Sequence, residues 1–149
     1  MHSDYKDLLA AFNAHGVEYL VVGAHALAAH GQVRATKDLD VWVRPDAENA
    51  RRVIRAIEAF GAALQGLSER DLTQPETVFQ IGVEPLRIDI ITSIDGVEFS
   101  AAWPDRVTSK FEQQSAPVLS RTHLIQNKRA SGRLQDLADV EHLENLGEG

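Results

Sequence analysis

Two aspartates one residue apart are the part of this sequence most suited to chemistry. Asp38 and Asp40 lie in the strand-like run KDLDVWVR, residues 37–44. Aspartate is a poor strand former, and a buried carboxylate without a partner is costly, so the pair needs an explanation. Alternate residues of a strand face the same side, which places both carboxylates on one face with Cα atoms about 7 Å apart.

This spacing suits a hard, oxygen-liganded cation. Two carboxylates so close repel each other and raise a pKa unless a cation compensates their charge. Mg2+ takes oxygen ligands, and the two side chains can converge on one ion or on a pair of ions about 3.5–4 Å apart. Asp38 and Asp40 are therefore predicted metal ligands.

A third carboxylate interrupts another apolar run. Asp89 lies among isoleucines in LRIDIIT, residues 86–92. If this strand pairs with the first in antiparallel register, Asp89 comes within about 5 Å, Cβ to Cβ, of a cross-strand carboxylate, and the three form a metal platform. The alternative stays open for each aspartate: a cap or turn hydrogen bond, or an ion pair with Arg34, Arg44 or Arg87.

A glycine turn stands just upstream of the aspartate pair. In LVVGAHALAAHG, residues 20–31, Gly23 ends an apolar strand and Ala24 opens a short helix. Glycine lets the backbone approach a ligand closely, and the free N–H groups of a helix N-terminus suit phosphate. The order of these segments predicts an anion-binding turn beside the metal platform.

The rest of the chain alternates helical and strand patterns, with a tight turn expected at residues 84–85 and a loop at 66–76. The fold class predicted is α+β, a mixed β-sheet of about four to five strands flanked by helices. One domain over residues 1–149 is expected, with a C-terminal helical segment at about 120–146. The first predicted helix follows Ser3 and ends at Gly16, and further helices are predicted over 24–31, 46–60, 121–130 and a segment from about 132. The predicted strands cover 17–23, 37–44, 77–83, 86–92 and, at an edge of the sheet, 116–120.

Composition narrows the class of protein. The chain is 44% hydrophobic and 25% charged, and no apolar run approaches the roughly 20 residues of a membrane span, so no membrane partner is expected. The absence of cysteine excludes disulfides and thiolate chemistry and fits a cytoplasmic location. A net charge of −7 predicts poor unaided binding of nucleic acid, although bound metal or a local basic patch could still hold a polyanion.

Three runs together resemble the nucleotidyltransferase superfamily related to DNA polymerase beta. They are VVGAHALAAHGQVRATKDLDVWV, LRIDIIT and HLIQNKRASGRLQDLADVEHL, and the likeness extends from about Tyr19 to Leu143. The sequence is most similar to small stand-alone bacterial members, among them the nucleotidyltransferase toxins of abortive-infection and toxin–antitoxin systems. The resemblance implies the DNA polymerase beta-like fold and a nucleotidyltransferase that binds a nucleoside triphosphate, such as ATP, with two Mg2+ ions, or Mn2+. The enzyme that the resemblance implies would transfer the nucleoside monophosphate to a hydroxyl of a tRNA, a protein or a small molecule.

The same resemblance assigns roles to the site residues. Asp38 and Asp40 would bind the ions that hold the triphosphate, and Asp89 would bind the ion nearer the acceptor and help activate its hydroxyl. Gly23 and Ala24 would contact the phosphates. Family members usually carry Gly-Ser or Gly-Gly at this turn, so Ala24 offers a backbone N–H without the serine hydroxyl.

Four further residues are predicted to bind the nucleotide. Arg34 and Thr36, just before the aspartates, line the nucleotide or simply pair with Asp38. Lys128 and Arg133 resemble basic positions that reach the triphosphate, the alternative being exposed bases on a C-terminal helix. An antitoxin or partner subunit is implied by the toxin relatives. The alternative function is a catalytically degenerate nucleotide-binding module, or the antitoxin or scaffold half of a pair.

The histidines and Trp42 give weaker evidence for a functional site than the aspartates do. His25 and His30 are five residues apart, which suits neither i+3 nor i+4 metal ligation on a helix, and no H-E-x-x-H motif is present. Both are interpreted as surface or core histidines. Trp42, two positions after Asp40, either stacks on a nucleotide base or packs in the core.

Overall fold

The computed structural model describes residues 3–34, 36–82 and 87–147. Short 3-10 turns cover Asp71–Thr73 and Trp103–Asp105. The helices are α1 (Ser3–Ala14), α2 (Gly23–Ala29), α3 (Ala47–Phe60), α4 (Phe99–Ala102), α5 (Arg121–Ser131) and α6 (Leu134–Gly147). The strands are β1 (Tyr19–Val22), β2 (Asp38–Val43), β3 (Val78–Ile81), β4 (Arg87–Ile91), β5 (Val107–Phe111) and β6 (Gln114–Val118).

The strands form one mixed sheet in the order β3-β4-β2-β1-β6-β5. β2 pairs antiparallel with β1 and parallel with β4, and β1 pairs parallel with β6. The predicted α+β class with a mixed sheet is confirmed, with one strand more than the four to five expected. The additional strand is β5, whose sequence VTSKF has no apolar alternation and whose residues are half-buried or exposed. Its strand conformation depends on pairing with β6.

The core of the protein packs against the apolar residues of the central strands. In β2, Leu39, Val41 and Val43 are fully buried and join the buried residues of α1 and α3 in one cluster. Helix α3 is well delimited: the Asp46 side chain accepts a hydrogen bond from the backbone N–H of Asn49 at its start, and Gly61 ends it in the left-handed region. The alternation predicted for β2 therefore sends one set of side chains to the core.

The two C-terminal helices pack on each other and on the segment after β4. Ser120 caps α5 by accepting a hydrogen bond from the backbone N–H of His123. Gln126 and Asn127 of α5 donate to the carbonyl oxygens of Gly96 and Asp95 at 2.6 and 2.9 Å. These contacts hold α5 against the segment that follows β4.

β3 and β4 pair antiparallel as a hairpin, and the turn predicted at residues 84–85 lies outside the described residues. Of the helices within the described ranges, none combines the length and apolar character needed to cross a membrane.

Candidate active site

Asp40 and Asp89 are direct neighbours across two strands. The register of β2 and β4 places Asp40 opposite Asp89 and Asp38 opposite Arg87. The antiparallel pairing assumed from the sequence is wrong, because these strands run parallel. After β2 the chain passes through α3 to the edge strand β3, which runs antiparallel to β4, so β4 returns in the direction of β2. The carboxylates of Asp40 and Asp89 are nevertheless adjacent, as the sequence predicts.

The electrostatics of the pair reflect this crowding. Burial, followed by the negative charges of Asp89 and Asp38, raises the pKa of Asp40 to about 6 from the usual 3.8. Burial likewise raises the pKa of Asp89, although the positive charge of Arg87 opposes the rise. The negative charge of Asp38 contributes to both shifts.

An arginine lies within the acidic cluster. Nη2 of Arg87 donates to Oδ2 of Asp38 at 3.1 Å, and Nε of Arg87 is 3.3 Å from Oδ1 of Asp89. The ion pair with Arg87 that the sequence left as an alternative is therefore present for two of the three aspartates. The other candidate arginines are engaged elsewhere: Arg44 with Glu18, and Arg34 with an aspartate of α6.

The donor atoms fit a divalent cation, but they are not arranged as a finished metal site. Oδ1 of Asp89 is buried and makes no hydrogen bond within the part of the chain that the structure describes. A buried carboxylate oxygen without a hydrogen bond is free to accept a metal ion as a ligand. Three carboxylates are also the oxygen donors that Mg2+ prefers. Among residues 3–34, 36–82 and 87–147, no three acidic or histidine side chains form a ready-made metal group.

The glycine turn abuts the carboxylates, as the sequence predicts. Val22 at the end of β1 pairs with Asp40, and Gly23 follows with φ +69°. A Cβ atom on Gly23 would overlap Oδ2 of Asp40 and lie 3.2 Å from its Cγ. Both the backbone conformation and the lack of space therefore require glycine. Ala24, in the first turn of α2, is the next residue along this edge.

In the described part of the chain, Arg34 and Thr36 make no side-chain hydrogen bond or ion pair with the carboxylates of Asp38, Asp40 and Asp89. The Thr36 hydroxyl donates to the backbone oxygen of Asp38 and accepts from its backbone N–H, so it shapes the chain at the start of β2. Arg34 forms an ion pair with Asp139 of α6 instead of the predicted alternative partner, Asp38. A role for Arg34 and Thr36 at the nucleotide stays a prediction.

Lys128 and Arg133 belong to a charge network between α5 and α6. Nζ of Lys128 lies 3.3 Å from a carboxylate oxygen of both Asp136 and Asp139. Arg133 donates from Nε to Asp136 at 2.7 Å. Lys128 is buried, so the alternative of an exposed base does not describe it. Its predicted contact with the triphosphate remains untested.

Asp136 and Asp139 are the functional candidates that sequence reasoning missed. Both are almost fully buried, and Asp139 also accepts hydrogen bonds from Gln32 and Arg34 before β2. They therefore tie the helix pair to the segment that leads into the aspartate strand. The signal was the same as in β2: aspartates three residues apart in QDLADV, among apolar residues of a helix.

Replacing Asp139 with asparagine is expected to lower the free energy of unfolding by about 3 kcal/mol, because two cations lose a buried counter-charge. Burial alone would raise the pKa of Asp139, but its polar neighbours outweigh this and lower the pKa to about 2. A depressed pKa stabilises the folded state above pH 4, and this contribution disappears as pH falls from 4 towards 2. The neighbours are Arg34, Gln135, Gln32 and Lys128.

Urea unfolding of the wild type and Asp139→Asn between pH 2 and 7 measures this contribution. The difference between the two proteins should be constant above pH 5 and shrink below pH 4. Asp105→Asn, at an exposed carboxylate, is the control and should leave stability within about 0.5 kcal/mol of wild type. A pH-independent difference would contradict the role given to the charge of Asp139.

The aromatic and histidine side chains near the site serve packing. Trp42 is 1% exposed and contacts Phe99 edge-on with 5.0 Å between ring centroids, so it packs in the core instead of presenting a face to a base. His30 hydrogen-bonds the Leu119 carbonyl oxygen through Nε2 at 2.8 Å. His25 lies edge-on to Tyr5, with ring centroids 5.6 Å apart.

Comparison with known proteins places this geometry in a structural class. No protein-family model and no curated protein sequence matches the chain. Solved structures do: the chain has the nucleotidyltransferase fold, as the sequence resemblance predicted. At identities of 13–14% these likenesses establish the fold and leave the activity to be argued from the site.

Three of the similar structures show the extent of the match. The lincosamide antibiotic adenylyltransferase LnuA, solved with lincomycin bound, matches at 14% identity with a TM-score of 0.60, over 98% of each chain. A Thermotoga maritima protein described as a nucleotidyltransferase matches at 14% identity with a TM-score of 0.61, over 95% of this chain and 90% of that protein's chain. The antibiotic-resistance factor ANT(2'')-Ia matches at 13% identity with a TM-score of 0.60, over 99% of this chain and 83% of that protein's chain.

Proposed function

We propose that this protein is a metal-dependent nucleotidyltransferase that moves a nucleoside monophosphate from a nucleoside triphosphate to a hydroxyl acceptor. One observation carries the proposal: Asp40 and Asp89 face each other on parallel strands, with Asp38 on the same face and Gly23 against Asp40. The nucleotidyltransferase fold of the chain supports it. The carboxylate cluster or the fold alone would support the proposal less strongly, because one fold can host many activities and acidic clusters have many roles.

The chemistry follows from the placement of these groups. Asp38, Asp40 and Asp89 would hold two Mg2+ or Mn2+ ions, which supply the charge neutralisation that phosphoryl transfer requires. The acceptor oxygen forms a bond to the α-phosphorus, the bond from that phosphorus to the bridging oxygen breaks, and pyrophosphate leaves. Asp89 is the group that the sequence resemblance assigns to help activate the acceptor hydroxyl, and the burial that raises its pKa makes it a stronger proton acceptor. The backbone N–H groups at Gly23 and Ala24 would bind the phosphates.

A small hydroxylated molecule is the acceptor class best supported. LnuA was solved with lincomycin and ANT(2'')-Ia with adenylyl-2''-tobramycin, and the LnuA match leaves almost none of either chain unaccounted for. A net charge of −7 also disfavours a polyanionic acceptor such as tRNA and suits a neutral or cationic one. A protein acceptor, a toxin role and an antitoxin or partner subunit rest on the sequence resemblance alone. A cytoplasmic location is supported by the cysteine-free composition.

A transfer assay tests the proposal directly. The purified protein is incubated with each α-labelled nucleoside triphosphate, Mg2+ and separate acceptor pools: hydroxylated small molecules including a lincosamide and an aminoglycoside, total tRNA, and a protein extract. Label should move to an acceptor in the small-molecule pool, require the divalent ion and disappear on addition of EDTA. Transfer that persists in EDTA would contradict the metal-dependent mechanism, and transfer only to tRNA or protein would contradict the acceptor class.

A degenerate nucleotide-binding module, or an antitoxin or scaffold of the same fold, is the second candidate. Two observations favour it: Ala24 lacks the hydroxyl usual at this turn, and Arg87 is paired with two of the three carboxylates. Such a module would bind a nucleoside triphosphate in equilibrium dialysis, yet transfer no label to any pool. The same set of acceptors therefore separates the two candidates.

A further inference from the structure

Arg87 stands where a cation is required and is not explained by the transfer chemistry. It lies opposite Asp38 in the register of β4 and β2, two residues before Asp89, and therefore on the face that carries the carboxylates. Its guanidinium lies within 3.3 Å of a carboxylate oxygen of both Asp38 and Asp89.

The fit of the guanidinium to this position is incomplete. Nη2 of Arg87 makes a hydrogen bond to Asp38. Nε of Arg87 and Oδ1 of Asp89, although 3.3 Å apart, are both buried without a hydrogen bond in the described part of the chain. That contact is an attraction between charges without a directed bond, which is weaker than a two-bond arginine–carboxylate pair.

The side chain also has a route out of the cluster. Arg87 is 31% exposed, whereas the Asp89 side chain is 13% exposed. By contrast, Arg34 donates from two nitrogens to Asp139, a carboxylate that is almost fully buried. A long side chain held by one hydrogen bond at the edge of solvent can change rotamer without unfolding its strand.

We propose that Arg87 is a built-in counter-cation that holds Asp38 and Asp89 when no divalent ion is bound and competes with that ion for the same oxygens. On this inference Arg87 is a positioning residue, which keeps the acidic strands paired and has to swing towards solvent before the metal ligands are free. The inference rests on the metal-binding part of the proposed function, but its test does not require any acceptor or any turnover.

The affinity of the protein for a divalent ion tests whether Arg87 competes with that ion. Mn2+ binding to wild type and to Arg87→Met is measured by isothermal titration calorimetry without nucleotide. Met keeps the length and apolar stem of the side chain and removes the cation. Arg87→Met should bind Mn2+ on the order of tenfold more tightly or better, because an opposite charge at this range changes the proton affinity of a carboxylate roughly 10- to 1000-fold.

Arg44→Met is the matched control. Arg44 immediately follows β2 and pairs with Glu18, so this change removes the same charge without touching the three carboxylates. Mn2+ affinity should stay within about twofold of wild type. An equal gain in both variants would reduce the effect to net charge and overturn the inference, as would unchanged or weaker Mn2+ binding in Arg87→Met, or no binding in either protein.

A wild-type measurement covers the case in which Arg87→Met does not fold. Phenylglyoxal modification of arginine, read by peptide mass spectrometry, should accelerate at Arg87 when Mg2+ is added and remain unchanged at Arg44. Constant or slower modification at Arg87 would overturn the inference. The two proposals fail separately: tighter Mn2+ binding without transfer contradicts only the proposed function, and transfer with unchanged Mn2+ affinity contradicts only the role of Arg87.

Discussion

Replacing Asp40 with asparagine is expected to abolish nucleotidyl transfer while leaving the protein folded. The change keeps the size of the side chain and removes the carboxylate that lies between Asp89 and the Gly23 turn. If this carboxylate binds the ions that hold the triphosphate, its loss should lower the transfer rate on the order of 10²–10³-fold or more, the scale seen when a preorganised charge-stabilising group is removed.

The folded state should not suffer from this substitution in the absence of metal. Asp40 is a crowded acid whose pKa is raised by burial and by two neighbouring carboxylates, so its ionised form is unfavourable in the fold. An uncharged asparagine removes that repulsion, and the thermal midpoint at pH 7 without divalent ions should be equal to or above that of wild type.

Initial rates with a labelled nucleoside triphosphate, combined with thermal unfolding of the same preparations, check both expectations. Asp105→Asn, at an exposed carboxylate, is the control and should retain the wild-type rate. A folded Asp40→Asn protein that transfers label at the wild-type rate would remove Asp40 from the mechanism. Loss of rate together with a large fall in the thermal midpoint would leave the result as a folding defect and contradict the stability argument.

Replacing Gly23 with alanine should also disable transfer, for a steric reason. The added Cβ would overlap Oδ2 of Asp40, and the backbone of Gly23 lies at φ +69°, where an L side chain is strained. The carboxylate has to move, and a displacement of about 1 Å at a reacting centre can cost on the order of 10²-fold in rate. The strain itself should lower the free energy of unfolding by about 1–2 kcal/mol.

Gly61→Ala separates the two effects. Gly61 ends α3 at φ +97° and has no atom within 4 Å of an added Cβ, so alanine there meets the backbone strain without the overlap. Both variants should lose comparable stability in urea unfolding, and only Gly23→Ala should lose transfer. Equal rates in the two variants would show that the space beside Asp40 does not matter for activity.

Much of the candidate site is contained in local sequence. Alternation in β2 requires Asp38 and Asp40 to share one face while Leu39, Val41 and Val43 enter the core, and the structure has this arrangement. The glycine that begins α2 and the cap and glycine that bound α3 are similarly local, because each depends on backbone geometry within a few residues. These patterns were sufficient to predict the α+β class and the closeness of the glycine turn to the aspartates.

The tertiary structure alone decided how the charges are paired. β4 runs parallel to β2 because the chain first forms the edge strand β3 and then turns back antiparallel to it, and β5 is a strand only because β6 pairs with it. The sequence named Arg87 as one of three candidate partners, but only the strand register places it opposite Asp38, and only the packing of α6 brings Asp139 to Arg34 and Lys128. Strand and helix periods determine which face a side chain takes, whereas the partner across that face depends on contacts between residues up to about a hundred positions apart.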